Sequence, residues 1–380
     1  MKHVEYSTEK PLNREHSLKR LISSFITPDI TSYDRNHGPI PHLSADNHTI
    51  TIDGQGLTPL TLSMDDLRTT FAQHEVLCAL QCAGNRRHTM RTESKEVQGI
   101  DWFDGAIMNC KWKGPRLRDV LIRAGIDGNQ DILQDDGMYV AFGCYQVPCQ
   151  DDWWYGASVK LGRCLGREFD VILALEMNDK PLSPNHGFPV RVVIPGYTGA
   201  RHLDHICRWV KWLDRITVQK EESQNHYQRY DYKMLPPDVD SSEKADKYWD
   251  LIPPLEDVPV NSVVGEPGDN EEVHTLASGK VIAKGYAVPQ GHHGQVTRVE
   301  VSGDGGKTWV DAELDQFEGK TQKWCWVLWT ASVHMEKGQG KVILSRATDE
   351  AGNTQQEQSP WNLRGVAYNG YGLSKNLNVV

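Results

Sequence analysis

Apolar positions change rhythm several times between residues 49 and 194. Thr49 to Asp53 (TITID) alternates as a short strand does and ends at a glycine-rich turn. Ser63-Met-Asp-Asp66 has the spacing of a capping box, which predicts a helix through Asp65 to Gln73. Val76 to Cys82 (VLCALQC) reads as a buried strand that breaks at Ala83-Gly84-Asn85. Arg116 to Ala124 (RLRDVLIRA) has helical spacing and stops at Gly125. Further strands are predicted at Met138 to Phe142, Val171 to Leu175 and Val190 to Ile194. Strands and helices mix without a regular βαβ period, so the expected class is α+β rather than a doubly wound sheet.

The texture then shifts twice. From about 234 to 275 the chain gathers Pro236, Pro237, Pro253, Pro254, Pro259 and Pro267 among many acids, and reads as a linker. Beyond it, Val281 to Ala287, Val296 to Val301, Thr308 to Val310, Trp324 to Trp329 and Lys341 to Ala347 are short strands with turn signals between them, the pattern of an immunoglobulin-like sandwich. A chain of 380 residues is too long for one ordinary core. The expected division is a polar N-terminal arm over 1–27, an α+β domain over 28–250 and an all-β domain over 251–380.

Composition removes several function classes. No apolar run approaches the ~18 residues of a membrane span, so no membrane partner is expected. Forty-one Lys+Arg against 51 Asp+Glu give a net charge of -10, which argues against nucleic acid as a partner. Eight unevenly spaced cysteines do not form a disulfide framework and suggest reduced thiols in an intracellular protein. The N-terminal residues carry no apolar signal core, and the last three are not a peroxisomal signal. These readings favour the cytosol and leave peroxisome or mitochondrion open.

No phosphate-binding Walker loop, dinucleotide fingerprint or nucleophile elbow is present. Gly303-Asp-Gly-Gly306 imitates a calcium loop without its carboxylate ladder and reads as a hairpin turn. Cys78 and Cys82 share a strand face, and His202, His205 and Cys207 crowd together, but neither set has a matching half-site for zinc. Most cysteines read as small buried hydrophobes. Cys82 differs because it ends a strand before Ala83-Gly84-Asn85-Arg86-Arg87. A thiol at a strand tip with two guanidiniums beside it suits a thiolate metal ligand or a nucleophile; the bland reading is a turn with surface arginines. Arg35-Asn36-His37 before Gly38-Pro39, and His186-Gly-Phe-Pro-Val-Arg191 leading into a strand, place Arg and His on rigid backbone, as an oxyanion site requires. Each cluster alone also fits loop capping.

Together these segments resemble the sulfite oxidase family. The likeness rests on Tyr33-Asp-Arg-Asn-His37, Leu80-Gln-Cys-Ala-Gly-Asn-Arg-Arg87, Glu96-Val-Gln-Gly-Ile-Asp-Trp102, His186 to Arg191, Val210-Lys-Trp-Leu213, Gln228-Arg-Tyr-Asp-Tyr-Lys233 and Trp361-Asn-Leu-Arg-Gly365, in family order from about residue 28 to 366. The resemblance implies a molybdenum-cofactor domain followed by an immunoglobulin-like dimerisation domain, and hence a homodimer. It implies that Cys82 is the thiolate ligand of molybdenum beside molybdopterin. Tyr33, Asp34, Arg35, Asn36, His37, His186, Arg191 and Lys211 would hold the pterin and its phosphate, with Arg35 also facing the metal. Arg87, Trp102, Tyr232 and Arg364 would complete a pocket for sulfite, a small dianion.

Nitrate reductases share this module. The sulfite enzymes carry an arginine at the place of Arg364, where nitrate reductases have a neutral residue, and a dianion requires the extra charge. Nothing here resembles the His-Pro-Gly-Gly segment of a cytochrome b5 domain, so no haem is expected, and electrons would pass to oxygen or a separate acceptor, as in the plant-type enzyme. The alternatives are a nitrate-reducing or other oxo-transfer molybdoenzyme, and a non-catalytic interaction protein with a decayed pocket. Three departures from the family pattern stand out. Leu203 to Trp209 is inserted before Lys211, and Trp102 lies one residue further from Cys82 than the family spacing. Cys149 occupies the place of an aspartate, for which Asp151 is the candidate substitute. After Gly365 the chain diverges into what reads as a polar tail.

Overall fold

The computed structural model describes residues 6–128, 137–198, 210–231, 233–315, 317 and 323–380. The capping box at Ser63 forms as its spacing predicts. Its side-chain oxygen accepts from the Asp66 backbone N–H at 3.0 Å, and the Asp66 carboxylate accepts from the Ser63 backbone N–H at 2.8 Å. The helix Met64–Thr69 is shorter than predicted. Gln73 ends it from outside by donating its amide to the carbonyls of Leu67 and Phe71, and already belongs to the next strand.

That strand, Gln73–Gln81, buries Val76, Cys78 and Leu80 on one face and pairs antiparallel with Ile107–Pro115, with Cys78 opposite Cys110 and Gln81 opposite Ile107. The pairing ends one residue before Cys82, which therefore stands at the strand tip. The helix Leu117–Arg123 follows, and Gly125 (φ 116°) lets the chain turn after it. A second sheet of the first domain takes the order Leu60–Ser63, Thr49–Gly54, Arg215–Gln219, Tyr139–Cys144, Tyr155–Lys160, with Arg215–Gln219 parallel to Thr49–Gly54. The architecture is α+β, followed by a β-rich unit.

Two sheets build that unit. One runs Asn261–Glu266, Lys280–Val288, Val327–His334, Glu313–Asp315; the other runs Glu272–Val273, Gly372–Val379, Gly338–Asp349, Val296–Ser302, Val310–Asp311. Their inner faces meet in an apolar core that includes Val264, Val281, Ala283, Val299, Val301, Trp329, Ile343 and Leu377.

Three readings of the termini and connector require correction. The stretch 234–275 is not a bare linker, because it contains the strand Asn261–Glu266, and Leu235, Val239, Ala245 and Trp249 pack with Met90, Val97, Trp361 and Leu363. The polar tail is likewise a paired strand, Gly372–Val379, antiparallel to Gly338–Asp349. The segment before residue 28 is also folded. Asn13–Arg14 pairs with Asp34–Arg35, and Leu21 packs with Ile107, Tyr286 and Trp326 between the two units. Among the described residues no helix is long and apolar enough to cross a membrane, and the seven described cysteines are buried.

Candidate active site

The backbone after Cys82 closes a tight turn. The Cys82 N–H donates to Ala106 O, and the Asn85 N–H donates to Cys82 O, each at 2.9 Å. The Asn85 side chain locks that turn by accepting from the Ala106 N–H at 3.0 Å and donating to the Tyr286 hydroxyl at 2.9 Å. Arg86 then adopts a left-handed conformation (φ 68°), and the helix Arg87–Glu93 begins. That one residue sends two adjacent arginines in different directions.

Arg86 points into the second domain. Its guanidinium donates to Asn261 Oδ1, Gly370 O and Tyr371 O, each at 2.7 Å, pairs with Asp104 at 3.3 Å and lies over the Tyr368 ring. It is a structural clamp, not part of an electropositive sulfur site. Arg87 turns back towards Cys82. It donates to Ile100 O at 2.7 Å and Arg364 O at 3.2 Å, and a Cβ at Gly84 would lie 2.2 Å from its Nη2 atom. A side chain at position 84 would push the guanidinium out of this place. Burial pushes Arg87 down to about 10; the Cys82 sulfur and Asp231 oppose this, whereas the Arg364 and Arg35 guanidiniums add to it. Cys82, Arg35, Arg87 and Arg364 therefore share one buried neighbourhood in which Arg87 feels two other guanidiniums. Arg364 arrives from the second domain's chain. It pairs with the Asp231 carboxylate and donates to Gln98 Oε1 at 2.7 Å. Trp102 and Tyr33 are both buried in the first domain's core and meet edge to face, with ring centroids 6.5 Å apart.

A small open cleft adjoins this locus and is lined by Arg35, Asn36, His37, Val147, Pro148, Cys149, Tyr155, Lys211 and Trp212. Its floor is rigid. A Cβ at Gly38 would lie 2.3 Å from Pro148 O, and the His37 ring stacks on Tyr155 with centroids 5.3 Å apart. The Lys211 ammonium donates to Arg35 O at 2.9 Å and Asn185 O at 2.7 Å, so it is aimed by carbonyls from two segments. Behind it the buried Asp34 carboxylate receives Arg14 at 2.6 Å and faces His186 Nε2 at 3.5 Å. His186 in turn has its Nδ1 2.9 Å from Ser183 Oγ and its carbonyl bonded by Arg191 at 2.9 Å. Burial lowers the His186 imidazole to about 4, with Lys211 and Arg191 adding to the effect and Asp34 opposing it, so the ring is neutral near pH 7.

The sequence-derived set thus falls into three placements. Arg35, Arg87 and Arg364 gather near Cys82 at the strand tip, while Trp102 and Tyr33 pack against each other in the first domain's core. Asn36, His37 and Lys211 line the cleft, with Asp34, His186 and Arg191 packed behind. Asp151 is exposed, and its backbone N–H donates at 2.9 Å to the hydroxyl of Tyr227, whose ring packs on His37, while Cys149 lines the cleft itself. Cys149 offers no charge there, since burial pushes its thiol up to about 12. Tyr232, the Leu203 to Trp209 insertion, His202, His205 and Cys207 lie outside the described residues. Sequence reasoning missed Asn185, which donates to Asp34 as its carbonyl receives Lys211, and Asp231, the partner of Arg364. Asp231 stands directly before Tyr232, and that adjacency was the available signal.

The residues fit the group that the motifs imply. A buried soft sulfur at the strand tip suits a redox metal. A cleft beside Arg35 and Lys211, with the Lys211 ammonium held at its wall, suits a pterin with an anionic tail.

Comparison with known proteins agrees. Residues 37–227 match the oxidoreductase molybdopterin binding domain, and residues 253–373 match the Mo-co oxidoreductase dimerisation domain. The human mitochondrial sulfite oxidase is 42% identical over 374 residues, covering 97% of this chain; this chain spans 64% of that protein's length. The Arabidopsis thaliana sulfite oxidase is 38% identical over 377 residues, covering 96% of this chain and 91% of the plant protein. The crystal structure of the sulfane dehydrogenase SoxCD from Paracoccus pantotrophus shares the fold, with a TM-score of 0.72 and 22% identity over 94% of this chain and 85% of that one. The chain belongs to the sulfite oxidase family of molybdopterin-binding oxidoreductases.

Proposed function

We propose that this chain oxidises sulfite to sulfate, with molybdopterin in the cleft beside Arg35 and Lys211 and Cys82 as the protein's thiolate ligand to molybdenum. The observation that carries the reading is the convergence of Arg35, Arg87 and Arg364 on the Cys82 neighbourhood, which concentrates positive charge where a small dianion would react. When bound, the molybdenum centre supplies the two-electron oxidation and the oxygen atom that sulfite gains. The protein's share is binding, orientation and exclusion of water.

Arg87 and Arg364 hold the anion, and the buried setting strengthens their field. Asp231 orients Arg364 and moderates its charge, so sulfate can leave. Trp102 and Tyr33 wall the pocket and exclude water. The Tyr232 hydroxyl is assigned the proton exchanged during turnover. Asn36, His37, His186 and Arg191 keep the cofactor side of the cleft in place. Electrons pass to oxygen or a separate acceptor without a haem group, and the second domain pairs two chains into a homodimer, on the strength of its match to a dimerisation domain. The proposed compartment is the cytosol.

The test is sulfate formation by molybdenum-loaded protein from sulfite, with ferricyanide and then oxygen as sole acceptor. Turnover with both is expected. Turnover with ferricyanide alone would contradict oxygen as acceptor and leave sulfite oxidation standing. Reduction of nitrate with no sulfite turnover, at full molybdenum content, would overturn the assignment in favour of the nitrate-reducing alternative.

A further inference from the structure

We propose that Asp257, His292 and His293 form a binding site for a first-row divalent cation of the zinc, nickel or copper class, separate from the molybdopterin cleft and at the junction of the two domains. None of these residues takes part in the reaction proposed above. Asp257 lies in the connector between the domains, and the two histidines occupy the turn after the strand Lys280–Val288. The Asp257 carboxylate stands 3.9 Å from His292 Nδ1 and 3.7 Å from His293 Nε2, and one donor atom from each of the three lies within 4.8 Å of the others. Ligands about 2.0–2.2 Å from a tetrahedral cation sit roughly 3.4 Å from one another. Closing on a metal therefore asks for side-chain movements on the order of 1 Å, in groups that are partly exposed and have room to make them.

The backbone beneath is already set. The Val258 N–H donates to Gly196 O at 3.1 Å, the Gly291 N–H to Val258 O at 2.9 Å, and the His293 N–H to Gln290 O at 3.0 Å. Asp257 itself bridges Tyr197 of the first domain. The turn passes so closely over the carboxylate that a Cβ at Gly291 (φ 45°) would lie 2.3 Å from Asp257 Cγ. Two imidazoles and one carboxylate favour zinc, nickel or copper over the all-oxygen surroundings that calcium and magnesium prefer. Three protein donors leave a coordination position open to water or an exchangeable ligand.

Charge around the site is mixed. Arg163 and Lys323 bring positive charge, but Arg163 is held away by donating to Pro195 O and stacking on the Phe169 and Tyr197 rings. Asp257 and Glu256, with Glu350 beside Lys323, supply the opposing negative charge. A cation here would fasten the connector to the second domain's turn and stiffen the junction.

The experiment uses molybdenum-loaded protein dialysed free of other divalent ions and titrated with Co²⁺, read by its visible absorption bands, and with Zn²⁺, read by calorimetry. Wild type is expected to take up one equivalent that His292→Ala/His293→Ala lacks, with a rise in Tm on Zn²⁺ addition only in wild type. His292→Ala alone should weaken binding by more than the ~10–100-fold that loss of a supporting partner costs. His292 is exposed, so this variant keeps the test valid if the double variant folds poorly. Sulfite turnover should not change in either. Equal stoichiometry and affinity in wild type and variants, or no uptake by wild type, would overturn the proposal without touching the sulfite assignment.

Discussion

The two domains treat buried charge differently. Among the described residues the first domain buries Arg35, Arg86, Arg87, Arg118, Arg163, Arg191, Lys211 and Lys233, whereas the second buries the single cation Arg364 and sends it to the first domain's site. A buried cation costs several kcal/mol unless it is paired and bonded. The sandwich avoids that cost with an aliphatic core around Val281, Val299 and Ile343. The first domain accepts it, and the cations that serve only its fold can be told from those that serve a ligand by where their donors go. Arg86 spends its donors on fixed carbonyls of the second domain; Arg87, one residue on, stands beside a sulfur and two other guanidiniums. Buried guanidiniums brought together in this way suit an anionic ligand.

The sharpest way to break this contrast is at the sulfur. Cys82→Ser should lower sulfite turnover beyond the ~10²–10³-fold that loss of one electrostatic donor produces, with the circular dichroism spectrum and Tm near wild type. A collapse of the fold instead would make Cys82 a packing residue. Arg86→Met comes next. It leaves the Asp104 carboxylate buried without its guanidinium and should cost about 3–5 kcal/mol in urea unfolding, while KM for sulfite in the folded fraction stays unchanged.

A third test concerns pH in cofactor-free protein. The His186 pKa is about 4 in the fold against an ordinary 6.5, so between those values the unfolded chain binds more protons than the folded one. Stability should therefore be full above pH 6.5 and fall as pH drops towards 4, by at most about 3 kcal/mol. His186→Gln should flatten that slope in denaturant melts at pH 4.5 and 7.5. The smallest effect is expected from Arg364→Met, which removes a cation and exposes Arg87 to the Asp231 carboxylate. Loss of a charged hydrogen bond of roughly 1.5–3 kcal/mol should raise KM for sulfite by about 10–100-fold, with molybdenum content retained. Loss of metal in step with activity would assign Arg364 to the cofactor instead.

Local signals in the sequence were reliable. The Ser63–Asp66 box, the Gly125 stop and the strand ending at Cys82 are all set by neighbours a few residues away, and each stands where its pattern puts it. Signals that depend on distant partners were not legible. Nothing in the run Asn85-Arg86-Arg87 says that Arg86 turns left-handed, because the reason is a set of carbonyls at 370 and 371. The Arg364–Asp231 pair joins residues 133 positions apart. The final strand was hidden because its inward positions include Ser374 as well as Leu377 and Val379, which blurs the alternation. The connector was misread because its prolines and acids mask the widely spaced Leu235, Val239, Ala245 and Trp249. Motifs carried the site because the chemistry fixes residue identity there; the packing that aims those residues was spread along the chain.

The most direct measurement is the steady-state kinetics of sulfite oxidation in Arg87→Met and Arg86→Met, each set beside its Tm and molybdenum content. The account predicts that Arg87→Met raises KM by about 10-fold or more and keeps its metal, while Arg86→Met loses stability and keeps its KM. An unchanged KM in Arg87→Met, or a loss of activity in both variants that simply follows their Tm, would contradict a dianion site built from Arg87 beside Cys82.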